Sequence, residues 1–373
     1  MKIKFTVTIA VLLMIIILSC SKERKKHSFE LIDGIEFHKN SGEPAGVYRP
    51  KTDLLFEING PQNVPDSMRG FGEIAQIITD INENIYILDG KHAVIKKYNS
   101  GGEFDKYFPE QSGIDVSQFK APSQFALMYD TLLVYDPGSN KLVRYLSNGQ
   151  FINSQFLMSG FKPVYMMSDS KTNLSSFVWK RAMIDSVDYM TNDLCLLNDR
   201  LKVSRVIKEI RFPIDKLSAL DLFTTYALRD GMFYIAENKG SDYKIYAINS
   251  RSNIKQIIEK DFTPVKYNEY ELNALNDFLT SAGFDALDTR VQHYKKAINS
   301  IHVDKKNKLW INSPAERTSQ NQDSLYADIF EKGAFINTTV LDFVKPGENF
   351  SLLGNRIYVI AQDRRSIRVY NYE

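Results

Sequence analysis

Two segments of this 373-residue chain match each other at a separation of 47 residues. The first contains the run at 84–89, Asn-Ile-Tyr-Ile-Leu-Asp, and the second the run at 131–136, Thr-Leu-Leu-Val-Tyr-Asp. After each run, apolar residues, a glycine and a phenylalanine recur at the same spacing. A period of about 40 to 50 residues built from short strands predicts β-propeller blades, because one such sheet must stack against copies of itself to bury both faces.

Weaker copies of this pattern bring the number of units to six. The last copy contains Ile357 and stops after its third strand, at Glu373. An unassigned apolar strand, Leu54–Ile58, precedes the first repeat. We therefore predict an all-β, six-bladed β-propeller over residues 49–373, in which this N-terminal strand completes the C-terminal blade, since ring closure removes two open sheet edges.

The first unit also carries a family resemblance. Its sequence at 84–104, which continues as Gly-Lys-His-Ala-Val-Ile-Lys-Lys-Tyr-Asn-Ser-Gly-Gly-Glu-Phe, resembles an NHL-type repeat. Over residues 50–373 the chain resembles the six-bladed β-propeller lipoproteins common in Bacteroidota. That family has no single activity that could be carried over, and the glycine-rich loop that often opens its members is degenerate here, at 68–73.

The N-terminus has the pattern of an export signal. Lys2 and Lys4 precede an apolar run ending at Leu18, which is too short for a membrane span of about 20 residues. Residues 17–20, Ile-Leu-Ser-Cys, resemble the bacterial lipobox. The resemblance implies that residues 1–19 are a signal peptide and that Cys20 carries a diacylglyceryl group and an N-acyl chain such as palmitate. A secretory signal that merely contains a cysteine is the alternative.

The expected location is the cell envelope, with a membrane partner reached through the lipid on Cys20. Ser21 follows the cysteine in place of the aspartate that retains some lipoproteins at the inner membrane, which favours the outer membrane. The run 22–26 is mainly basic, unlike the short acidic run linked with surface export, which favours the periplasmic face. Residues 20–48 are mixed and polar, and we predict a tether there.

Charge and cysteine usage exclude several classes of partner. Loss of Lys2 and Lys4 with the signal lowers the formal net charge from +2 to 0. A neutral chain lacks the basic surface that nucleic-acid binding requires, so no nucleic-acid partner is predicted. Cys195 lies in an apolar strand-like run and is expected to be a buried small side chain, without a disulfide partner. We expect a monomer.

Catalytic motifs are absent from the sequence. It contains no nucleophile elbow, His-Glu-x-x-His helix, Walker loop or dinucleotide fingerprint. Asp80 and Asp304 occupy equivalent turn positions, and His302 lies on the first strand of a blade, where a lining role is favoured over metal binding. We predict no catalytic residue, metal or cofactor. A lactonase-type or lyase-type enzyme with an axial metal site is the alternative.

One segment, about 266–298, interrupts the repeats with helical spacing. Asn268 and Glu271 form a plausible capping box, with leucines following at helical spacing. Leu287, Val291, Tyr294 and Ile298 mark a second helix. We predict a helical hairpin insertion that either covers one face of the ring or serves as a lid or partner surface.

Loop lengths distinguish the two faces of the predicted ring. Links between first and second strands and between third and fourth strands share one face, and they are short. The other face holds the long stretches 108–123, 180–190, 266–298 and 313–324. Such elaboration is typical of a scaffold that carries a binding site, with drift in loop length as the alternative. We predict that this face binds a peptide, glycan or protein partner through residues that project there: Lys91, His92, Arg181, Asp185, Arg317 and Arg364.

Overall fold

The described chain forms six small antiparallel sheets in a ring, which confirms the predicted six-bladed, all-β propeller. The structure is a computed structural model and describes residues 26–62, 64, 69–109, 118–157, 162–169, 173–216, 224–237, 242–281, 294–314 and 325–373. Over these ranges, no helix is both long enough and apolar enough to cross a bilayer.

The strands follow one another as blades, each with its first strand next to the ring axis. Before blade 1 come β1 (His27–Ile32), β2 (Ile35–Asn40) and β3 (Thr52–Ile58). Blade 1 contains β4 (Ile74–Thr79), β5 (Ile85–Asp89), β6 (Val94–Tyr98) and β7 (Phe104–Phe108). Blade 2 contains β8 (Gln124–Met128), β9 (Thr131–Asp136), β10 (Lys141–Leu146) and β11 (Phe151–Phe156). Blade 3 contains β12 (Pro163–Ser168), β13 (Leu174–Ile184), β14 (Val187–Leu197), β15 (Val203–Lys208) and the short β16 (Arg211–Pro213).

The second half of the ring follows the same plan. Blade 4 contains β17 (Thr225–Arg229), β18 (Met232–Ala236), β19 (Lys244–Asn249) and β20 (Ile254–Lys260), and helix α1 (Glu269–Ser281) follows it. Blade 5 contains β21 (Ser300–Val303), β22 (Leu309–Asn312), β23 (Tyr326–Glu331) and β24 (Ala334–Val340). Blade 6 contains β25 (Asn349–Leu353), β26 (Arg356–Ile360) and β27 (Ile367–Tyr372).

Packing between neighbouring blades forms the core. Every residue of β5 is buried, because its side chains alternate between the two faces of a sheet that is covered on both sides. Ile95 of blade 1 and Val143 of blade 2 belong to one apolar cluster between these blades, and five further clusters fill the remaining seams. Each buried aliphatic side chain contributes about 1.5–3 kcal/mol, so stacking stabilises the ring more than any single sheet could.

Ring closure follows the prediction from the sequence. β3 pairs antiparallel with β27, from Ile58 opposite Ile367 to Thr52 opposite Tyr372, and becomes the outer strand of blade 6. Ile58 is buried and packs in one cluster with Ile367 and Val369. The N-terminal strand therefore joins the two ends of the chain into one closed ring.

Turn residues on the face with short links satisfy local backbone donors. Asp80 Oδ1 accepts hydrogen bonds from the backbone N–H groups of Asn82 and Asn84, both at 2.9 Å. Asp304 Oδ1 does the same with the N–H groups of Lys306 and Lys308, both at 2.8 Å. The turn role predicted for these two aspartates is confirmed.

The predicted tether is corrected for residues 27–40, which form the β1–β2 hairpin. β2 pairs in parallel with β20, and this extends blade 4 to six strands with β1 at the edge. The Asn40 side chain donates to the carbonyls of Glu259 and Gly333 and accepts from the N–H of Phe335. These bonds fix the hairpin to blades 4 and 5, because the edge of β20 offers backbone partners that a solvated tether would leave unused.

The insertion after blade 4 is also corrected in part. Helix α1 begins with the predicted capping box, since the N–H of Glu271 donates to Asn268 Oδ1 and the N–H of Asn268 donates to Glu271 Oε2. The second predicted helix lies largely outside the described residues. Its end, 294–298, is not helical, because Tyr294 pairs with Lys266 and Ile298 is buried at the start of blade 5.

Candidate functional site

We call the loop face the side of the ring that carries the links between second and third strands and between blades. Five of the six residues predicted to bind there are described, and Arg317 lies outside the described residues. The same is true of 315–324, 282–293 and 110–117, which contain much of the predicted long loops. The five described residues form two groups on the loop face.

The first group lies where blade 1 meets blade 6. Lys91 and His92 form the link between β5 and β6, and His92 Nδ1 lies 2.8 Å from Asp89 Oδ2. Arg364 lies in the link between β26 and β27, with its Nη1 2.9 Å from Glu73 Oε1. The N–H of Glu73 in turn donates to Asp89 Oδ1 at 3.1 Å. A buried carboxylate therefore holds the His92 ring in place, while Lys91 is exposed.

Asp89 is the centre of this group and pairs with a buried lysine. Both Asp89 and Lys96 are fully buried, and Lys96 Nζ lies 2.8 Å from Asp89 Oδ2 and 2.5 Å from the carbonyl oxygen of Gly70. Burial raises the pKa of the Asp89 carboxyl, but hydrogen bonds from Lys96 and from the amides of Gly72 and Glu73 outweigh it, so this pKa lies below its usual value. Burial lowers the pKa of Lys96.

The repeat shows that this arrangement serves the fold. Asp136, 47 residues after Asp89, is equally buried and accepts from the N–H groups of Lys120 and Ala121. Both aspartates fasten the preceding link to the second strand of their blade. Val143 occupies the blade 2 position equivalent to Lys96, so blade 2 keeps the aspartate without the charge pair.

The second group lies on a hairpin that the sequence predicted to be a loop. Residues 180–190 instead continue β13 and β14 to a two-residue turn at Asp185 and Ser186, both with positive φ. These strands have 11 residues each, against five in β5, so the hairpin projects by roughly 15 to 20 Å. β16 pairs with the β14 part of this extension and supports it, which is why strand geometry persists there.

The end of this projecting hairpin is apolar with charged flanks. Met183 and Val187 are exposed, at 70% and 40%. Arg181 Nε lies 2.9 and 3.0 Å from the two carboxylate oxygens of Asp188, forming an ion pair across the hairpin. Asp185 lies at the turn itself. Arg181 is therefore already paired although it is exposed, and Met183 and Val187 are exposed apolar side chains of the hairpin.

Unpartnered polar atoms lie at the base of the same hairpin. They are Trp179 Nε1, both polar atoms of the Asn192 amide and Thr224 Oγ1, each buried and without a hydrogen-bond partner among the described residues. Trp179 and Asn192 are directly opposite in the β13–β14 ladder, so their side chains share one face of the sheet. A buried polar group without a partner costs about 1–3 kcal/mol, so these four atoms are a concentrated cost at the base of the hairpin.

A contact between two aromatic side chains shows which pair of blades these unpartnered atoms lie between. Phe177 of β13 and Tyr226 of β17 meet edge to face with centroids 5.1 Å apart, between blades 3 and 4. Trp179 lies two residues beyond Phe177 toward the loop face, and Thr224 lies two residues before Tyr226 on the same side. We call this location the polar seam: Trp179, Asn192 and Thr224 between blades 3 and 4, at the loop-face end.

The ring axis is lined by amides and one histidine. Gln76 of blade 1 donates from Nε2 to the carbonyls of Phe125 and Met166, at 2.9 and 3.2 Å, and thereby joins three blades. His302 Nε2 lies 3.0 Å from Ser300 Oγ, and burial lowers the His302 pKa from 6.5 to about 4. These contacts support the predicted lining role of His302. Over the described ranges, no three His, Cys, Asp or Glu side chains lie close enough together to hold a metal ion.

Sequence reasoning missed the polar seam and the Gln76 bridge. The signal was present in both cases as polar residues inside apolar strands, at 191–193 before the run Leu194–Leu197 and at Gln76 between Ile74 and Ile77. Cys195 was predicted correctly as a buried side chain, and burial raises the pKa of its thiol to about 12. Such a thiol is a packing group rather than a nucleophile.

Comparison with known proteins identifies the fold and no family. No protein-family model and no curated protein matches the chain. A putative exported protein from Bacteroides fragilis is similar in structure, with a TM-score of 0.54 and 14% identity over 90% of this chain and 98% of its own. A DUF4221 family member from Bacteroides vulgatus has a TM-score of 0.49 and 9% identity over 87% and 98%, and virginiamycin B lyase from Staphylococcus aureus has 0.39 and 14% over 87% and 99%. At 14% identity, the likeness to the Bacteroides fragilis protein shows a shared fold alone.

Proposed function

We propose that this protein is a lipid-anchored binding module of the cell envelope that holds a peptide segment of a partner protein at the polar seam. The observation that carries the proposal is the set of four unpartnered polar atoms on Trp179, Asn192 and Thr224. The lipid on Cys20 attaches the module to the outer membrane at its periplasmic face. The sequence pattern at 17–20 supports this anchor.

The chemistry of the polar seam matches a peptide group. A peptide bond presents one N–H donor and one carbonyl acceptor, and the Asn192 amide offers the complementary acceptor and donor. Trp179 adds a second donor and Thr224 a hydroxyl that donates or accepts. The exposed Met183 lies on the same face of the projecting hairpin as Trp179 and supplies an apolar contact for a side chain of the same peptide. A glycan would use the polar seam without this apolar end.

The proposal is tested with a displayed peptide library selected against the mature chain. Selected peptides should lose at least about tenfold in affinity on Asn192→Leu, because an interfacial hydrogen bond to a buried amide is lost. Met183→Ser should weaken them as well. Glu103→Ala, on the opposite face, is the matched control and should leave affinity unchanged.

Stability distinguishes a bound peptide from ordered water as the occupant. Asn192→Leu removes two unpartnered atoms, so the folded chain should be no less stable than the wild type in urea. If Asn192→Leu lowers stability and no selected peptide depends on Met183, water fills the polar seam and the proposal fails. Binding of oligosaccharides that depends on Asn192 but not on Met183 would replace the peptide with a glycan.

A further inference from the structure

The outer edge of blade 4 exposes three large apolar side chains. β1 is the edge strand of this six-stranded sheet and pairs only with β2. Phe29, Leu31 and Ile32 on β1 are 52%, 66% and 46% exposed. Phe29 and Leu31 share one face of β1, and Ile32 lies on the other face next to the turn. Edge strands of soluble proteins are normally protected from such exposure, so large apolar side chains along an open edge mark an interaction surface.

The hairpin displays these side chains on a firm base. His38 of β2 is buried between the ring of His27, at a centroid distance of 5.4 Å, and the ring of Phe29, at 5.2 Å. Gly333 of blade 5 has a positive φ and lies against the same His38 ring, where a Cβ atom would approach within 2.4 Å. The β1–β2 hairpin is therefore packed against the ring, and its exposed apolar side chains have a defined direction.

The length of chain before β1 limits how far this surface lies from the anchor. Six residues, 21–26, separate Cys20 from the first residue of β1, His27. Fully extended, they span at most about 20 Å. Four of these six residues are basic and would lie next to anionic headgroups: Lys22, Arg24, Lys25 and Lys26.

We propose that β1 is a membrane-docking strand whose Phe29, Leu31 and Ile32 enter the boundary between headgroups and acyl chains beside the anchor. The inference rests on the lipid anchor of the proposed function. Docking at β1 places the rim of the ring on the bilayer, so the loop face is directed along the membrane and stays open to partners. The lipid and the apolar strand then act as two attachment points, which fix orientation where the lipid on Cys20 alone would only tether the chain.

Tryptophan quenching by brominated lipids tests the docking directly. Lipidated protein carrying Phe29→Trp is reconstituted into vesicles of phosphatidylethanolamine and phosphatidylglycerol with brominated acyl chains, and the wild-type signal of Trp179 and Trp310 is subtracted. Phe156→Trp is the matched control, because Phe156 is 72% exposed on the outer strand of blade 2. We expect at least about twofold quenching at position 29 and none at 156.

A second measurement uses chain without lipid on the same vesicles. Replacing Phe29, Leu31 and Ile32 by Ser should lower the partition of this chain onto the bilayer by about tenfold or more.

The two measurements separate docking from anchoring. If Cys20 is acylated but position 29 is not quenched, or position 156 is quenched equally, the docking proposal fails and the anchor stands. If Cys20 carries no acyl group, the anchor is excluded. The partition of the unlipidated chain then shows whether β1 binds the bilayer without an anchor. If the wild-type chain forms a dimer and the triple Ser variant is a monomer, this edge serves self-association instead of membrane docking.

Discussion

The buried pair of Asp89 and Lys96 allows a sharp test, because blade 2 contains the same aspartate without the lysine. Asp89→Asn keeps the shape of the side chain but leaves the buried Lys96 ammonium without its counter-ion, which lies 2.8 Å away. Breaking one side of a buried charge pair costs about 3–5 kcal/mol. Asp136→Asn loses only bonds to neutral donors, such as the N–H groups of Lys120 and Ala121, and should cost about 1–3 kcal/mol.

A rescue variant isolates the charge from the packing. Lys96→Met in the Asp89→Asn background removes the unpaired ammonium and places an unbranched apolar side chain where blade 2 has the apolar Val143. We expect this double variant to recover about 2 kcal/mol relative to Asp89→Asn alone. The Lys96 contact with the Phe71 ring, at 5.0 Å, is replaced by apolar contact of similar size.

Urea unfolding of the mature chain measures these differences in the free energy of unfolding. Both the transition midpoint and the dependence of the free energy on urea concentration (the slope) are needed. An unchanged slope shows that the variants unfold the same amount of surface, so midpoint shifts convert to free energy. Equal losses for Asp89→Asn and Asp136→Asn would contradict the charge argument. A double variant no more stable than Asp89→Asn would also contradict the charge argument. The lost stability would then come from the hydrogen bonds between Asp89 and the backbone amides of the preceding link.

Three further predictions concern the anchor, the ring closure and the axis. Cys20→Ala should abolish acylation, and mass analysis of the wild type should find the lipid on Cys20; lipid-free protein starting elsewhere would exclude it. Deleting residues 52–58 should expose the buried Ile367 and Val369, cost several kcal/mol and cause aggregation; a soluble variant with the wild-type melting temperature would contradict closure. His302 has a folded pKa of about 4, below its ordinary 6.5, so its contribution is fully present above pH 6.5 and falls, by up to roughly 3 kcal/mol, as pH drops toward 4. His302→Gln should remove this part of the pH dependence of the melting temperature. If the dependence is the same in wild type and variant, burial does not lower the pKa of His302.

Local sequence chemistry determined the blades and many of their turns. Short continuous apolar runs made β5 and β9 recognisable, because a strand covered on both faces needs apolar side chains at nearly every position. The turn bonds of Asp80 and Asp304 join residues no more than four positions away, so this role was readable from spacing alone. Closure by β3 was readable too, since a three-stranded last blade implies a missing edge partner.

The candidate site was predicted only to the level of a face. Lys91, His92 and Arg364 lie on the loop face because links between second and third strands always do. Their binding role stays a prediction. Sequence patterns did not show that Glu73 and Asp89 connect them, since those contacts join links that are distant in the chain.

Tertiary structure decided the features that join distant parts of the chain. β2 became a strand because the edge of β20, 220 residues later at Glu36 and Gln256, offered backbone partners. The polar side chain of Asn192 became buried because blade 4 stacks on the face of β14 that carries Asn192 and Leu194. The chain by itself determined which segments are strands, because that depends on local alternation of side chains. Which polar groups lose water, and which edges gain a partner, depends on neighbours that only the closed ring supplies.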